Sequence, residues 1–589
     1  MAYGMSEQGQ GRATGLARIG TGLTQGVALW ALTEAADNKV WPATSGVLFG
    51  VLAAVVLFTP FVVLGGLADM RRRTLVIWTL AAAAGLAALG AHDIDRRTAH
   101  EAVDWISGQA MVFFAAALFI GHHLVSAADS DRKLIARFPT YFDQAWKHGV
   151  QLAMSAAFVG VFWLVLFLGG ALFKLIGIAF VQDLIGKSWF AIPATTTMFA
   201  AAVQLTDVRH GLIRGIRTVA LTLLSWLLPV LVFLTGAFML ALPFTGLEPL
   251  WKTRSAAAIL LSAAAVMIVL INAAYQDGEP DTPTPFILRW AGRIGGLLLV
   301  PLVGVAAYAL SLRIGQYGLT PDRIVAAAFA LVGAIHAIGY AAAAVLPGPW
   351  LKRLEITNIV GAFASLGLLL ALFSPLADPA RLSVDSQMAR IADGRLKPDK
   401  VDYRFLRFQS ERYGVAALQT LKKKGGEVGK RATEALAWSE ERQAEGPPAE
   451  AVNLTQAIKV WPAGAVLPAD FLTMAGDDKA RLQSDCGTEN VDINGGCNAI
   501  LADVDGDGVN EVLVMQAGDA EVFAKGPVEW SKVGAFVPTG CAGYPEALRE
   551  GRFKLVPSRP WRDLEINGER VPMQETYRNC SERKAAPPR

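Results

Sequence analysis

Long blocks of this chain carry no charge at all, and that limits what it can fold into. A helix crossing a bilayer needs roughly 20 consecutive, mostly apolar residues. Residues 44–67, 74–91, 105–127, 149–173, 218–243, 255–275, 294–312, 324–346 and 356–375 meet or approach that length. Residues 188–206 are a weaker tenth, with Thr195, Thr196 and Thr197 inside. Charged residues make up only 18% of the chain, against about 25% in ordinary soluble domains. The expectation is a polytopic α-helical membrane bundle of about ten or eleven spans. Residues 19–33 are uncharged but short and rich in Gly and Thr. They read either as an interfacial helix or as the eleventh span.

The short loops carry direction. Arg71, Arg72 and Arg73 follow the first block. Every second loop after that is again the basic one: Arg132, Lys133, Arg137 and Lys147, then Arg209, Arg214 and Arg217, then Arg289 and Arg293, then Lys352 and Arg353. Basic loops stay in the cytoplasm, so the last span delivers the C-terminal region to the other side. The expected place is the bacterial inner membrane, with the C-terminal domain periplasmic. No cleavable leader stands out in residues 1–18, so insertion relies on internal spans. The net charge of +3 and the lack of a basic stripe exclude a nucleic-acid partner.

All four cysteines, Cys486, Cys497, Cys541 and Cys580, lie beyond the last span. Disulfides belong to oxidising compartments, which agrees with the charge rule. Four cysteines allow three connectivities. Local closure favours Cys486–Cys497 with Cys541–Cys580, and zinc is the rival reading, weakened by the lack of a Cys-x-x-Cys pair. The organisation expected is a polar segment 1–18, a membrane domain 19–375, a mainly helical extracytoplasmic stalk 376–451, a small α+β or β-rich domain 452–580, and a disordered tail 581–589. Gly446, Pro447 and Pro448 read as the break between stalk and domain.

One motif carries specific chemistry. Residues 503–511 read Asp-Val-Asp-Gly-Asp-Gly-Val-Asn-Glu. Acids at loop positions one, three, five and nine with Gly at six match the first part of a calcium loop. Val514 stands where a helical hand would place its bidentate Glu. The flanks Ala499-Ile500-Leu501 and Val512-Leu513-Val514-Met515 favour strands, so a strand–loop–strand site is expected. Its ligands would be Asp503, Asp505, Asp507 and Glu511 with the Val509 carbonyl, holding structural Ca²⁺. A solvated acidic turn is the plain alternative.

The membrane half offers weaker signals. His122, His123 and His336 sit inside spans, where ionisable groups are functional candidates. A lone His there also serves as a helix-packing hydrogen bonder. In the loop Arg313 to Arg323, Gly318 can end one helix, while Thr320 caps the next with Pro321 at its first position. That leaves Arg313, Tyr317 and Arg323 as a candidate anion or headgroup site, with interfacial anchoring as the alternative. Gly292, Gly295 and Gly296 suit close helix packing.

The string Tyr317-Gly318-Leu319-Thr320-Pro321-Asp322-Arg323 resembles the hallmark of the bacterial polytopic inner-membrane family catalogued as domain of unknown function 4153. Residues 270–277 (Leu-Ile-Asn-Ala-Ala-Tyr-Gln-Asp), 402–408 (Asp-Tyr-Arg-Phe-Leu-Arg-Phe) and 412–414 (Arg-Tyr-Gly) are similar to other stretches of it. The resemblance implies many spans and inner-membrane location, with no established activity and no catalytic residues to carry over. Three functions compete. The first is an envelope component whose outer domain meets periplasmic protein partners. The second is a transporter or channel. The third is a membrane enzyme acting on a lipid-linked or phosphate-bearing substrate at the outer face, but no P-loop or nucleophile elbow supports it.

Overall fold

The computed structural model describes residues 2–97, 105–207, 210–246, 256–278 and 284–438. Beyond these it describes 458–462, 464–472, 482, 486, 497–515, 520–526, 530–536, 547–548, 550, 552–555, 564–566 and 569–571. Cys541, Cys580, the break at 445–451 and the tail 581–589 lie outside the described residues. The chain divides into two units, residues 1–437 and 438–589.

The first unit is helical. Its helices are α1 (Ala2–Asp37), α2 (Gly46–Asp69), α3 (Arg72–Asp95), α4 (Gly108–Asp131), α5 (Phe138–Leu175), the short α6 (Phe180–Ile185), α7 (Ser188–Asp207) and α8 (His210–Thr245). After them come α9 (Ala256–Tyr275), α10 (Phe286–Tyr317), α11 (Pro321–Val345) and α12 (Leu354–Leu372). Among the described residues, nine helices are long and apolar enough to cross a membrane: α2, α3, α4, α5, α8, α9, α10, α11 and α12. In hydrocarbon the backbone must satisfy its own hydrogen bonds, which is why the apolar blocks are all helices.

Helices α1 and α7 are not among the nine, yet they form a close antiparallel pair. At one end Arg18 bonds Gln204 and Asp207. At the other Ser188 Oγ donates to Glu34 Oε1 at 3.2 Å. Between those ties α1 climbs about 24 Å, at 1.5 Å per residue. Gly22 and Gly26, a Gly-x-x-x-Gly step, make the approach possible. A Cβ on Gly22 would stand 2.6 Å from the Thr196 carbonyl, and one on Gly26 2.4 Å from Pro193 Cα. This spacing is a standard device for membrane helix pairs, and it was legible in the sequence but not used there. The helix begins at Ala2, so residue 18 is not an element boundary.

The largest buried cluster joins α8 to α11 around Leu221, Met267, Leu299 and Tyr340. Gly295 and Gly296 let neighbours close in: a Cβ on Gly296 would meet the Tyr340 carbonyl at 3.0 Å. A ring of three hydrogen bonds sits in this apolar mass. Asn272 donates to Tyr340 Oη, Tyr340 donates to Asn358, and Asn358 donates back to Asn272, each at 2.6 Å. Asn272 also donates to the Ile268 carbonyl at 2.9 Å, and in this apolar setting such a network holds its members together.

After α12, helix α13 (Pro379–Ala392), a π-turn at Phe405–Gln409, α14 (Glu411–Lys424) and α15 (Gly426–Leu436) form a helical cap. It docks through buried charge. Asp378 caps α13 by accepting from Ala380 N at 2.8 Å, and its other oxygen meets His92 Nε2 at 2.9 Å. Burial alone would raise the Asp378 carboxyl pKa, but the His92 bond and Arg96 hold it below the usual value. Asp93 collects Arg96, Arg97 and Ser107 nearby. Arg412 N donates to the Arg96 carbonyl at 3.0 Å. Glu411 lies beside this network, and burial pushes its carboxyl up despite Arg96 and Arg97.

The second unit is built on a five-stranded sheet: β1 (Ile458–Trp461), β2 (Cys497–Ala502), β3 (Glu511–Met515), β4 (Ala520–Lys525) and β5 (Trp530–Phe536). β1 runs parallel to β2, and the remaining pairs are antiparallel. β6 (Leu564–Ile566) and β7 (Glu569–Val571) form a separate hairpin. A short helix α16 (Ala469–Leu472) sets Phe471 edge-on to Phe523 and Trp530, with centroids 5.6 and 5.4 Å away. The Cys486–Cys497 disulfide lies in the same core.

Two outcomes follow. Tyr340→Phe removes the hub of the hydrogen-bond ring and should cost about 1–2 kcal/mol, within the range for polar contacts between membrane helices, read by thermal unfolding in detergent. Glu411→Gln should stabilise the purified chain at neutral pH. The wild-type carboxyl has a raised pKa in the fold, so its charged form is destabilising at neutral pH. Below its ordinary value of 4.5 both states are protonated and the advantage should vanish. Equal melting at pH 7 would remove the burial argument.

Candidate functional site

Five helices bring ionisable side chains to one end of the bundle. All but Arg18, which lies near the middle of α1, come from a helix terminus or within a few turns of one. Asp69 ends α2, Lys147 and His148 follow the start of α5, and Asp207 ends α7. Arg18 comes from α1, and His122 and His123 from α4. Arg18 is buried, with 1% of its side chain exposed. Its Nε donates to the Leu64 carbonyl at 3.2 Å, and its Nη1 to Gln204 at 2.8 Å and Asp207 at 3.0 Å. Lys147 Nζ lies 2.7 and 2.8 Å from the two Asp69 oxygens and 3.4 Å from Asp207. Charges at this depth persist only when paired.

From Asp69 a chain of hydrogen bonds runs inward. Asp69 Oδ2 meets His148 Nε2 at 3.0 Å. His148 Nδ1 meets His123 Nε2 at 3.0 Å. His123 Nδ1 ends the chain on the Phe119 carbonyl at 2.5 Å. A carbonyl can only accept, and so can a carboxylate held by Lys147. The chain thus engages both ring nitrogens of His148 and both of His123.

His122 stands apart from that chain. Trp78 Nε1, which can only donate, points at His122 Nδ1 at 3.3 Å. Nδ1 must then be the bare nitrogen and Nε2 carries the hydrogen. His122 Nε2 is buried and has no protein partner. It faces Gly65, where a Cβ would approach it to 3.0 Å. The three rings lie 5.0 to 5.7 Å apart, centre to centre. Their nitrogens do not converge as metal ligands would, because those of His123 and His148 are spent on the chain.

Beside the rings is a cavity of about 260 Å³. Its walls include Phe58, Phe61, Leu118, Phe119 and Phe199, with His122, His123, His148 and Gln151 as polar points. Gln151 Nε2 is engaged with the Val203 carbonyl at 3.0 Å.

The other sequence candidates fall elsewhere. His336 bonds the carbonyl of Val332, one turn back in its own helix, at 2.8 Å. It packs its ring where Gly361 lacks a side chain and does not join His122 and His123. In the 313–323 loop, Gly318 ends α10 at φ +80° and Thr320 Oγ1 accepts from Arg323 N at 3.4 Å. Arg313 and Arg323 both lie over the Tyr317 ring, at 5.8 and 5.5 Å. Arg323 also donates to the Gly318 carbonyl, and Arg390 from α13 donates to the Gly315 and Gln316 carbonyls. Arg390 thereby ties the cap to the end of α10, while Arg313 and Arg323 stay local to the loop.

In the second unit the acidic loop joins β2 to β3. Ligand oxygens of Asp503, Asp505 and Glu511 lie within 4.8 Å of one another, and among the described residues this is the only such group. Gly506 and Gly508 have φ of +82° and +87°, a conformation that glycine adopts at no steric cost. The Asp507 carboxylate turns to its own loop, accepting from Val509 N at 2.7 Å, and the Val509 side chain is half exposed.

Sequence reading found His122 and His123 but not Asp69, Lys147, His148, Asp207 or Arg18. Each of those lies at or near the end of an apolar block, where a charge usually marks only the membrane boundary.

Breaking one ion pair here should be costly. Asp69→Asn takes the nearest carboxylate from Lys147, leaving it Asp207 at 3.4 Å, and should destabilise the protein by up to about 3 kcal/mol, read by thermal unfolding in detergent. Adding Lys147→Met should return part of that loss, because the charge that lost its nearest partner has gone.

A family model described as Domain of unknown function (DUF4153) matches residues 43–421. The match runs from just before α2 into α14 and leaves out α1, which supplies Arg18. No curated protein and no solved structure matches the chain.

Proposed function

The chain belongs to the family described as domain of unknown function (DUF4153), and we propose that it is an eleven-crossing envelope protein of the bacterial inner membrane. In this reading it carries a calcium-binding domain on the periplasmic side, where that domain meets protein partners. The observation that carries the reading is the antiparallel pair α1 and α7, tied at both ends. One end of the pair shares the level of the flanking spans, since Asp207 meets Lys147 while Lys147 meets Asp69. Two crossings added to nine make eleven. An odd number puts the N-terminus and the region after α12 on opposite sides.

Direction comes from the basic loops. Arg71 pairs with Asp129 at the same end as Asp69, and basic loops remain cytoplasmic. The region after α12 is then outside. The Cys486–Cys497 disulfide suits that compartment. Calcium suits the 503–511 loop: the 4.8 Å limit on its oxygen spacing is about twice a Ca–O distance of 2.3–2.6 Å. Asp503, Asp505 and Glu511 would hold the ion, with Asp507 and the Val509 carbonyl as further oxygens. Bound calcium would relieve repulsion among these acids and fix the turn between two core strands, a structural role.

Reporter fusions test the topology. Alkaline phosphatase at the C-terminus should be active and a green fluorescent protein there dark, with the reverse at the N-terminus. A fluorescent C-terminal fusion would overturn the crossing count and the compartment together. Calcium is tested on the purified full chain by melting in chelator and in excess calcium. A hundredfold excess over the dissociation constant should add about 2.7 kcal/mol to the unit that binds it, and Asp505→Asn should abolish the gain. Identical melting curves would leave the loop a solvated turn.

A further inference from the structure

We propose that the cavity among α2, α4, α5 and α7 is a binding site for a lipid-soluble quinone, whose ring carbonyl accepts a hydrogen bond from His122 Nε2. Trp78 fixes the polarity of the site. Because its indole donates to His122 Nδ1, the proton of the neutral ring is on Nε2, and that nitrogen is buried without a protein partner. A ligand here must bring an acceptor.

The neighbours narrow the choice. His123 is engaged by Phe119 and His148, His148 by His123 and Asp69, and Gln151 Nε2 by Val203. Lys147 and Arg18 are committed to Asp69, Asp207 and Gln204. The cavity therefore offers one donor without a partner, and its other polar groups are already engaged. An ionised carboxylate or phosphate would be buried with most of its lone pairs unmet, which is costly. A neutral carbonyl needs only the one bond.

Shape and size point to a flat ring. Phe58, Phe61, Phe119 and Phe199 line the space, and aromatic rings favour stacked or edge-on partners. An apolar cavity of about 150 Å³ already holds benzene, so about 260 Å³ leaves room for a substituted ring. Phe61, Phe119 and Leu152 are each more than a third exposed on the bundle surface. The mouth thus opens toward hydrocarbon, where an isoprenoid tail can lie. Binding alone is inferred, with no electron transfer.

The test uses the full chain in phospholipid nanodiscs and a photoactivatable short-chain benzoquinone, with cross-links mapped by mass spectrometry. Labelling should fall on the α2, α4 and α7 segments around Phe58, Phe119 and Phe199, and unlabelled quinone should compete it away. His122→Phe keeps the ring volume and removes the donor, and should weaken binding about tenfold, the scale of one lost hydrogen bond. Leu118 also lines the cavity, so Leu118→Trp fills it and leaves His122 in place, and should abolish labelling even where the first variant fails to fold. Competition by oleate as strong as by quinone would overturn the neutral-carbonyl argument. Labelling unchanged in either folded variant, or insensitive to unlabelled quinone, would overturn the site.

Discussion

Arg18, Asp207, Lys147 and Asp69 form an alternating row of charges across four helices, and the arrangement of the bundle at that end depends on it. In water such pairs contribute little. At the edge of hydrocarbon the alternatives are worse, because a charge without a partner there is strongly destabilising. The row therefore acts as a constraint on register. α1, α2, α5 and α7 can sit together only where the four groups meet, and sliding one helix by a turn would strand at least one of them.

That register has a consequence deeper in the bundle. Asp69 orients His148, which orients His123, and the chain ends on a backbone carbonyl. With all their nitrogens committed, these two rings form a closed polar wall. His122, turned by Trp78, is left with one donor toward an apolar space. One end of the bundle is thus polar and closely paired, and in the largely apolar pocket beside it His122 Nε2 lacks a partner. The opposite end repeats the logic with different residues. His92, Asp93, Arg96 and Asp378 bind the cap formed by α13 to α15, and Arg390 closes the carbonyl end of α10.

The second unit obeys other rules. It is a small sheet whose core combines aliphatic side chains with Phe471, Phe523 and Trp530 and one disulfide. Its acidic loop falls between two buried strands, so order in the loop and order in the sheet are linked. Glu511 belongs to both. It opens β3, its oxygen accepts from Val504 N, and it faces Asp503 and Asp505.

What the sequence alone determined were the features with a local cause. An uncharged block of twenty residues must become a membrane helix, because nothing else satisfies its backbone in lipid. Gly318, Thr320 and Pro321 had to end one helix and begin another. Tyr317 to Arg323 carried enough pattern to point to the family whose model matches residues 43–421. The tertiary structure decided which distant residues meet. Asp69 and His148 are 79 positions apart, and Arg18 and Asp207 are 189 apart. No periodicity records such a pairing, because a charge at a helix end looks the same whether it faces water or another helix. For α1 and Arg18 the answer lay in Gly22 and Gly26, whose meaning depends on a partner helix more than 160 residues away along the chain.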